Sequence, residues 1–118
     1  MLNIKSFSGI YLHRDHVDFR KSIDGLAAIV EQEMKLNVFG GQVFIFCDRK
    51  RRRLKVLYWD ATGFAMWYKR LEQDRFAWPK QHELEVISIE AGQLEWLLSG
   101  YDIWRMRPHK KVNYSRIS

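Results

Sequence analysis

The sequence has one cysteine, Cys47, in 118 residues. No internal disulfide framework can hold such a chain, and a reducing, cytoplasmic compartment is expected. No stretch approaches the roughly 18 apolar residues of a membrane span, and "MLNIKSFSGIYLHRD" contains no continuous apolar signal-peptide core. A soluble chain with no membrane partner is the expectation. Internal repeats, low-complexity segments, a phosphate-binding glycine loop, a nucleophile elbow and a CxxC pair are all absent. His13 and His16 lack the cysteine or carboxylate pattern of a zinc site, and a turn is expected there. Asp18, Asp60 and Glu72 would be the carboxylates of a metal-dependent nuclease, yet no spacing ties the three together. Asp18 and Asp60 instead stand where helix N-caps are expected. The sequence therefore assigns no catalytic residue, no metal and no cofactor, and the chain is expected not to be an enzyme.

What is present is a folding composition with its charge segregated. Hydrophobic residues make up 47% and aromatic residues 14%, which argues for one packed domain despite a formal charge of +6. Six of the seven residues from 49 to 55 are cationic, Arg49, Lys50, Arg51, Arg52, Arg53 and Lys55, with no acid among them. Residues 105–118 carry five more cations, Lys110 and Lys111 among them, again unopposed. The rest of the chain has nine cations against fourteen carboxylates. Such segregation suits an anionic partner better than it serves solubility.

The apolar pattern predicts an α+β domain over residues 1–104, followed by a basic C-terminal tail over 105–118. "SGIYLH" and "HVDF" read as short extended pieces. Ile23, Leu26, Ala27, Val30 and Met34 repeat at helical spacing, predicting a helix from about Phe19 to Met34 capped by Asp18. "QVFIFC" reads as a central strand and "LKVLYWD" as its partner, which makes a β-hairpin with the basic run at its tip. Phe64, Trp67, Tyr68 and Leu71 predict a second helix with Asp60 or Thr62 as its cap, ended by "RFAWP". "LEVISI" is a further strand, and Ser88 or Glu90 opens a last helix stopped by Gly100. The predicted whole is a single compact domain, an antiparallel sheet with a basic-tipped hairpin packed against about three helices.

Two or three cations at a hairpin tip would be enough to discourage edge-to-edge pairing. Six exceed that need, and four of them are arginine, the residue suited to bidentate phosphate or guanine contact. A basic β-ribbon is one way into a DNA groove. Arg20 and Lys21 form a further candidate site: in the first turn of the predicted helix they would favour a docked anion. The alternative there is an Arg20–Asp24 pair on the helix surface. Gly25, costly within a helix, suggests close approach of another backbone. The aromatics from Tyr58 to Trp78 read as core packing rather than base-stacking platforms, with Lys69 and Arg70 set beside the basic tip.

The ordered set "VDFRKSIDGL", "RLKVLYWD", "GFAMWYKRLE", "RFAWP" and "QLEWLLSGYD" resembles the small TnpB-type accessory protein of bacterial insertion sequences in the insertion-sequence 66 family. The likeness runs from about Gly9 to Asp102. It implies an accessory factor encoded beside a separate transposase, with no catalytic residues to carry over. The combined expectation is a DNA-binding accessory protein for transposition. Phosphate contacts would come mainly from Arg49, Lys50, Arg51, Arg52, Arg53 and Lys55, and secondarily from Arg20, Lys21, Lys69 and Arg70. The alternative is an assembly module that docks on the transposase without touching DNA. Clustered aromatics leave room for a homo-oligomer.

Overall fold

In the computed structural model, which describes residues 3–105, five strands form one sheet between two α-helices. A short 3-10 turn, Ile4–Ser6, precedes β1 (Ile10–His13), α1 (Ile23–Gln32), β2 (Val43–Cys47), β3 (Arg53–Asp60), β4 (Gly63–Arg70), β5 (Val86–Ile89) and α2 (Ala91–Leu98). The strand order is β4-β3-β2-β1-β5. All neighbours run antiparallel except β1 and β2, which pair in parallel from Ile10↔Val43 to Leu12↔Ile45. The sheet is therefore mixed, not wholly antiparallel as the sequence suggested. A parallel pair needs a long crossover, and α1 is that crossover.

Every side chain of β2 is buried, and its alternation feeds two cores. Val43, Ile45 and Cys47 join Ile10, Leu12, Leu54 and Val56 on the face covered by Leu94, Leu97 and Leu98 of α2. Phe44 and Phe46 face the other way and meet Leu57 with Leu26, Ile29 and Val30 of α1. Each such side chain contributes about 1.5–3 kcal/mol when fully buried, so β2 is the thermodynamic centre of the domain. Burial and the neighbouring Asp48 charge push the Cys47 thiol upward, which leaves it an unreactive packing group.

Three expected elements differ. The helix predicted over Phe64–Leu71 is strand β4, so two α-helices are present among the described residues rather than about three. Phe64, Trp67 and Tyr68 satisfy a helical period, yet Phe64, Met66 and Tyr68 also alternate with Ala65, Trp67 and Lys69. The short connection decides between the two periods. Ala61 at φ 48° and Thr62 close a tight turn, with Asp60 opposite Gly63, and β4 then pairs along the whole of β3. Asp60 ends a strand and caps no helix.

The second difference is the start of α1, at Ile23 with Ser22 as N-cap instead of at Phe19 after Asp18. Asp18 is occupied elsewhere: its carboxylate accepts the Arg20 backbone N–H at 2.9 Å and the Arg20 guanidinium at 2.6 Å. That arrangement holds residues 18–21 in a turn ahead of the helix. Third, "HVDF" forms no strand, although Val17 donates its N–H to the Cys47 carbonyl at 2.9 Å. At the other end of the chain, α2 follows the N-cap Glu90, whose backbone N–H donates to the Gln93 side chain at 2.8 Å, and ends ahead of Gly100, whose φ is 93°. No helix among the described residues is long and apolar enough to cross a membrane. The expected basic tail lies, beyond Arg105, outside the described residues.

Candidate nucleic-acid interface

β2 and β3 separate after the Cys47↔Leu54 pair, and the residues between them carry the densest charge of the chain. Like charges repel, so an ordered loop here needs an internal counter-ion. Asp48 is that group. Its side chain is only 8% exposed, and its Oδ2 accepts the Arg53 Nε–H at 2.8 Å. Its Oδ1 accepts the backbone N–H of Arg52 at 3.0 Å and of Arg53 at 3.2 Å. Burial alone would raise this carboxyl, but hydrogen bonds from Arg53 and Arg52 outweigh it and hold the pKa below the ordinary carboxylate value. Arg51 donates its N–H to the Asp48 carbonyl and takes a φ of 59°, which tightens the turn. From outside, Leu71 and Phe76 donate their N–H groups to the carbonyls of Arg52 and Arg51, both at 2.7 Å. The tip is thus clamped by backbone bonds from within and from the segment that follows β4.

That clamp sorts the ten candidate cations. Arg49, Lys50 and Arg52 are exposed and Arg51 half-buried, and none of the four side chains makes an ion pair or hydrogen bond among the described residues. Arg53 is tied to Asp48 and lies over the Phe19 ring, 5.1 Å from its centroid. Lys55 stands over the same ring at 4.7 Å and donates to the carbonyls of Phe19 at 2.9 Å and Lys21 at 3.3 Å. Burial, with Arg53 close by, lowers the Lys55 pKa, which marks it as a packing cation joining the 18–21 turn to the sheet.

The secondary candidates divide as well. Arg70 sits opposite Arg53 in the β3–β4 register and pairs with Glu72 at 2.9 Å. Lys69 projects to the opposite face, where its ammonium donates to the Leu98 carbonyl at 2.6 Å and satisfies the C-terminal turn of α2. It is held apart from the tip. Arg20 is tied to Asp18 and is not paired with Asp24. Lys21 precedes the helix, and a Cβ on Gly25 would lie 3.2 Å from the Lys21 Cβ. Gly25 therefore makes room for that side chain, where the sequence suggested a neighbouring backbone.

Two clefts flank the tip. One, of about 480 Å³, lies on the α1 side and is lined by His16, Asp18, Phe19, Asp48, Arg49, Lys50 and Arg53. The other, of about 280 Å³, is lined by Arg14, Asp15, His16, Arg49, Arg51, Trp78 and Lys80. His16 and Lys80 were missed by sequence reasoning, since neither belongs to a charge run. Asp48 was missed because it stands just outside the basic run. Its position as the last acid before six cations is the signal that would have found it.

No group of three or more His, Cys, Asp or Glu among the described residues stands close enough together to hold a metal. β3 separates Asp60 from the tip by roughly 23 Å at the usual strand rise, so Asp60 cannot act with Asp18, and Glu72 is bound to Arg70.

No solved structure matches the chain. Two curated relatives, both from Sinorhizobium fredii, are described only as uncharacterized proteins. One, y4hO, is 38% identical over 96 residues, covering 81% of this chain and 82% of the relative. The other, y4jC, is 29% identical over 91 residues, covering 77% of each. The family described as IS66 Orf2 like protein matches residues 8–108, nearly the whole described domain. The chain belongs to the IS66 Orf2-like family, accessory proteins of an insertion sequence.

Proposed function

We propose that the protein is a non-enzymatic accessory factor of transposition that binds DNA through the tip between β2 and β3. One observation carries the reading. Arg49, Lys50, Arg51 and Arg52 stand together without a counter-ion among the described residues, on a loop that Asp48 and four backbone bonds hold in shape. A clamped loop loses little entropy on binding, and unpaired cations release the counter-ions of a phosphate backbone. Changing all four to alanine abolishes binding to labelled duplex DNA while leaving the melting temperature nearly unchanged, because none of the four side chains supports the fold. A folded quadruple variant with unaltered affinity refutes the reading.

A second reading, docking on the transposase of the same element, is favoured by a different feature. Phe39, Trp59 and Phe64 form an aromatic cluster at the end of the β3–β4 hairpin remote from the tip, with centroids 5.0–5.5 Å apart, and Phe39 is 53% exposed. Nuclease-treated pull-down with the transposase separates the two: retention that depends on Phe39 and Trp59 and not on the tip supports docking.

A further inference from the structure

The two clefts beside the tip share one wall. His16 and Arg49, both exposed, line each of them and stand as a ridge between the α1 side and the α2 side of the sheet. The acids lining the two clefts, Asp15, Asp18 and Asp48, are each paired with an arginine of the chain. Asp18 is bound to Arg20 at 2.6 Å, Asp48 to Arg53 at 2.8 Å and Asp15 to Arg14 at 3.0 Å. The remaining cations, Arg49 and Lys50 in one cleft and Arg51 and Lys80 in the other, have no such partner among the described residues. What is left is a positive track across the end of the sheet.

Lys80 is built into this track although it lies far from the tip in sequence. Trp78 is buried, and its indole N–H donates to the Arg14 carbonyl at 2.7 Å just beyond β1. The turn that follows is closed by Lys80 donating its N–H to the Trp78 carbonyl at 2.9 Å. Trp78 and Pro79 are both buried while Lys80 is exposed, so the core itself sets the lysine on the cleft wall.

We propose that a DNA backbone crosses the end of the sheet through both clefts, over the His16–Arg49 ridge, and that Lys80 is a phosphate-binding residue. This rests on the proposed DNA binding and adds its path. A hairpin inserted tip-first into a groove would use Arg49 to Arg52 alone; a strand laid across the sheet end also uses Lys80.

Fluorescence anisotropy of the full chain against a labelled duplex tests it. Lys80→Ala is expected to make the log–log salt slope shallower by about 0.9 and to weaken binding roughly eightfold at 0.1 M salt, as loss of one phosphate contact requires. Lys5→Ala and Lys35→Ala, near the opposite end of the sheet, are expected to leave both unchanged, and Lys80→Arg to retain binding. If Lys80→Ala behaves like those controls while Arg49→Ala weakens binding, the path is wrong and tip-first binding stands. If the wild type does not bind DNA, the proposed function falls and the path with it. If poly-glutamate binds in a Lys80-dependent way and DNA does not, the track serves an acidic protein and the proposal is overturned.

Discussion

Replacing Asp48 by alanine separates a pre-formed cationic tip from a merely charged one. The substitution removes a carboxylate that accepts two backbone N–H groups at 3.0 and 3.2 Å and the Arg53 guanidinium at 2.8 Å. A hydrogen bond to a charged group contributes about 1.5–3 kcal/mol, and an orphaned part-buried N–H costs on the order of 1 kcal/mol or more. The Arg53 side chain is 42% exposed, so water screens that pair and it adds only a few tenths to about 1 kcal/mol. The two backbone bonds alone, at the low end of that range, give a loss of about 3 kcal/mol. For a domain of this length it corresponds to a fall in melting temperature of roughly 12 °C. Calorimetry reads that shift, and anisotropy reads the second consequence. Asp48→Ala makes the protein one unit more positive, so charge alone would tighten DNA binding. Loss of the clamp lets Arg49 to Arg52 spread, so the affinity falls instead. An unchanged melting temperature together with tighter binding refutes the reasoning.

Asp48 also fixes a pH dependence. Its folded pKa lies below the unfolded value, so its stabilisation is complete above the ordinary carboxylate pKa, near 4, and is lost as pH falls through the folded value. The gap in melting temperature between wild type and Asp48→Asn should be constant from about pH 8 to pH 5 and close in stronger acid; a gap that widens in acid contradicts the assignment. Lys69→Ala should cost about 1 kcal/mol by releasing the Leu98 carbonyl at the end of α2, and leave DNA affinity unaltered; a drop in affinity would return Lys69 to the interface. Phe19→Ala removes the ring beneath Arg53 and Lys55 and should lower stability by about 2 kcal/mol in urea denaturation, with a small effect on the salt slope.

Much of the framework was legible because local and tertiary signals agreed. "VFIFC" is apolar on both faces and lies at the centre of the sheet, where both faces are covered. Glu90 and Gly100 mark the ends of α2 by capping chemistry that works within one turn. The family was legible in its ordered motifs. β4 was not legible, because a strand with large apolar side chains on both faces matches a helical period equally well. Only pairing with β3, a contact the one-dimensional pattern does not contain, distinguishes the two. The parallel β1–β2 pair is hidden for the same reason. The start of α1 was misplaced because Asp18 looks like a cap until Arg20 is seen to occupy it.

At the candidate site, charge density was legible and charge availability was not. Sequence counted six equivalent cations between 49 and 55. Folding ties Arg53 to Asp48 and sets Lys55 against the carbonyls of Phe19 and Lys21, while Lys69 is drawn to the far side of the sheet. Lys80 joins the tip only because Trp78 is anchored beside β1.

The most direct test of this account is the salt dependence of binding to a labelled duplex, measured from about 50 to 200 mM. Six free cations would give a log–log slope of about −5.4 and a loss of affinity of roughly 1,800-fold over that range. Four tip cations, alone or with Lys80, predict a slope between about −3.6 and −4.5 and a loss of roughly 150- to 500-fold. A slope in that window supports a tip whose free charge is set by the fold. A slope of about −5.4, no binding at about 50 mM, or binding indifferent to salt contradicts it.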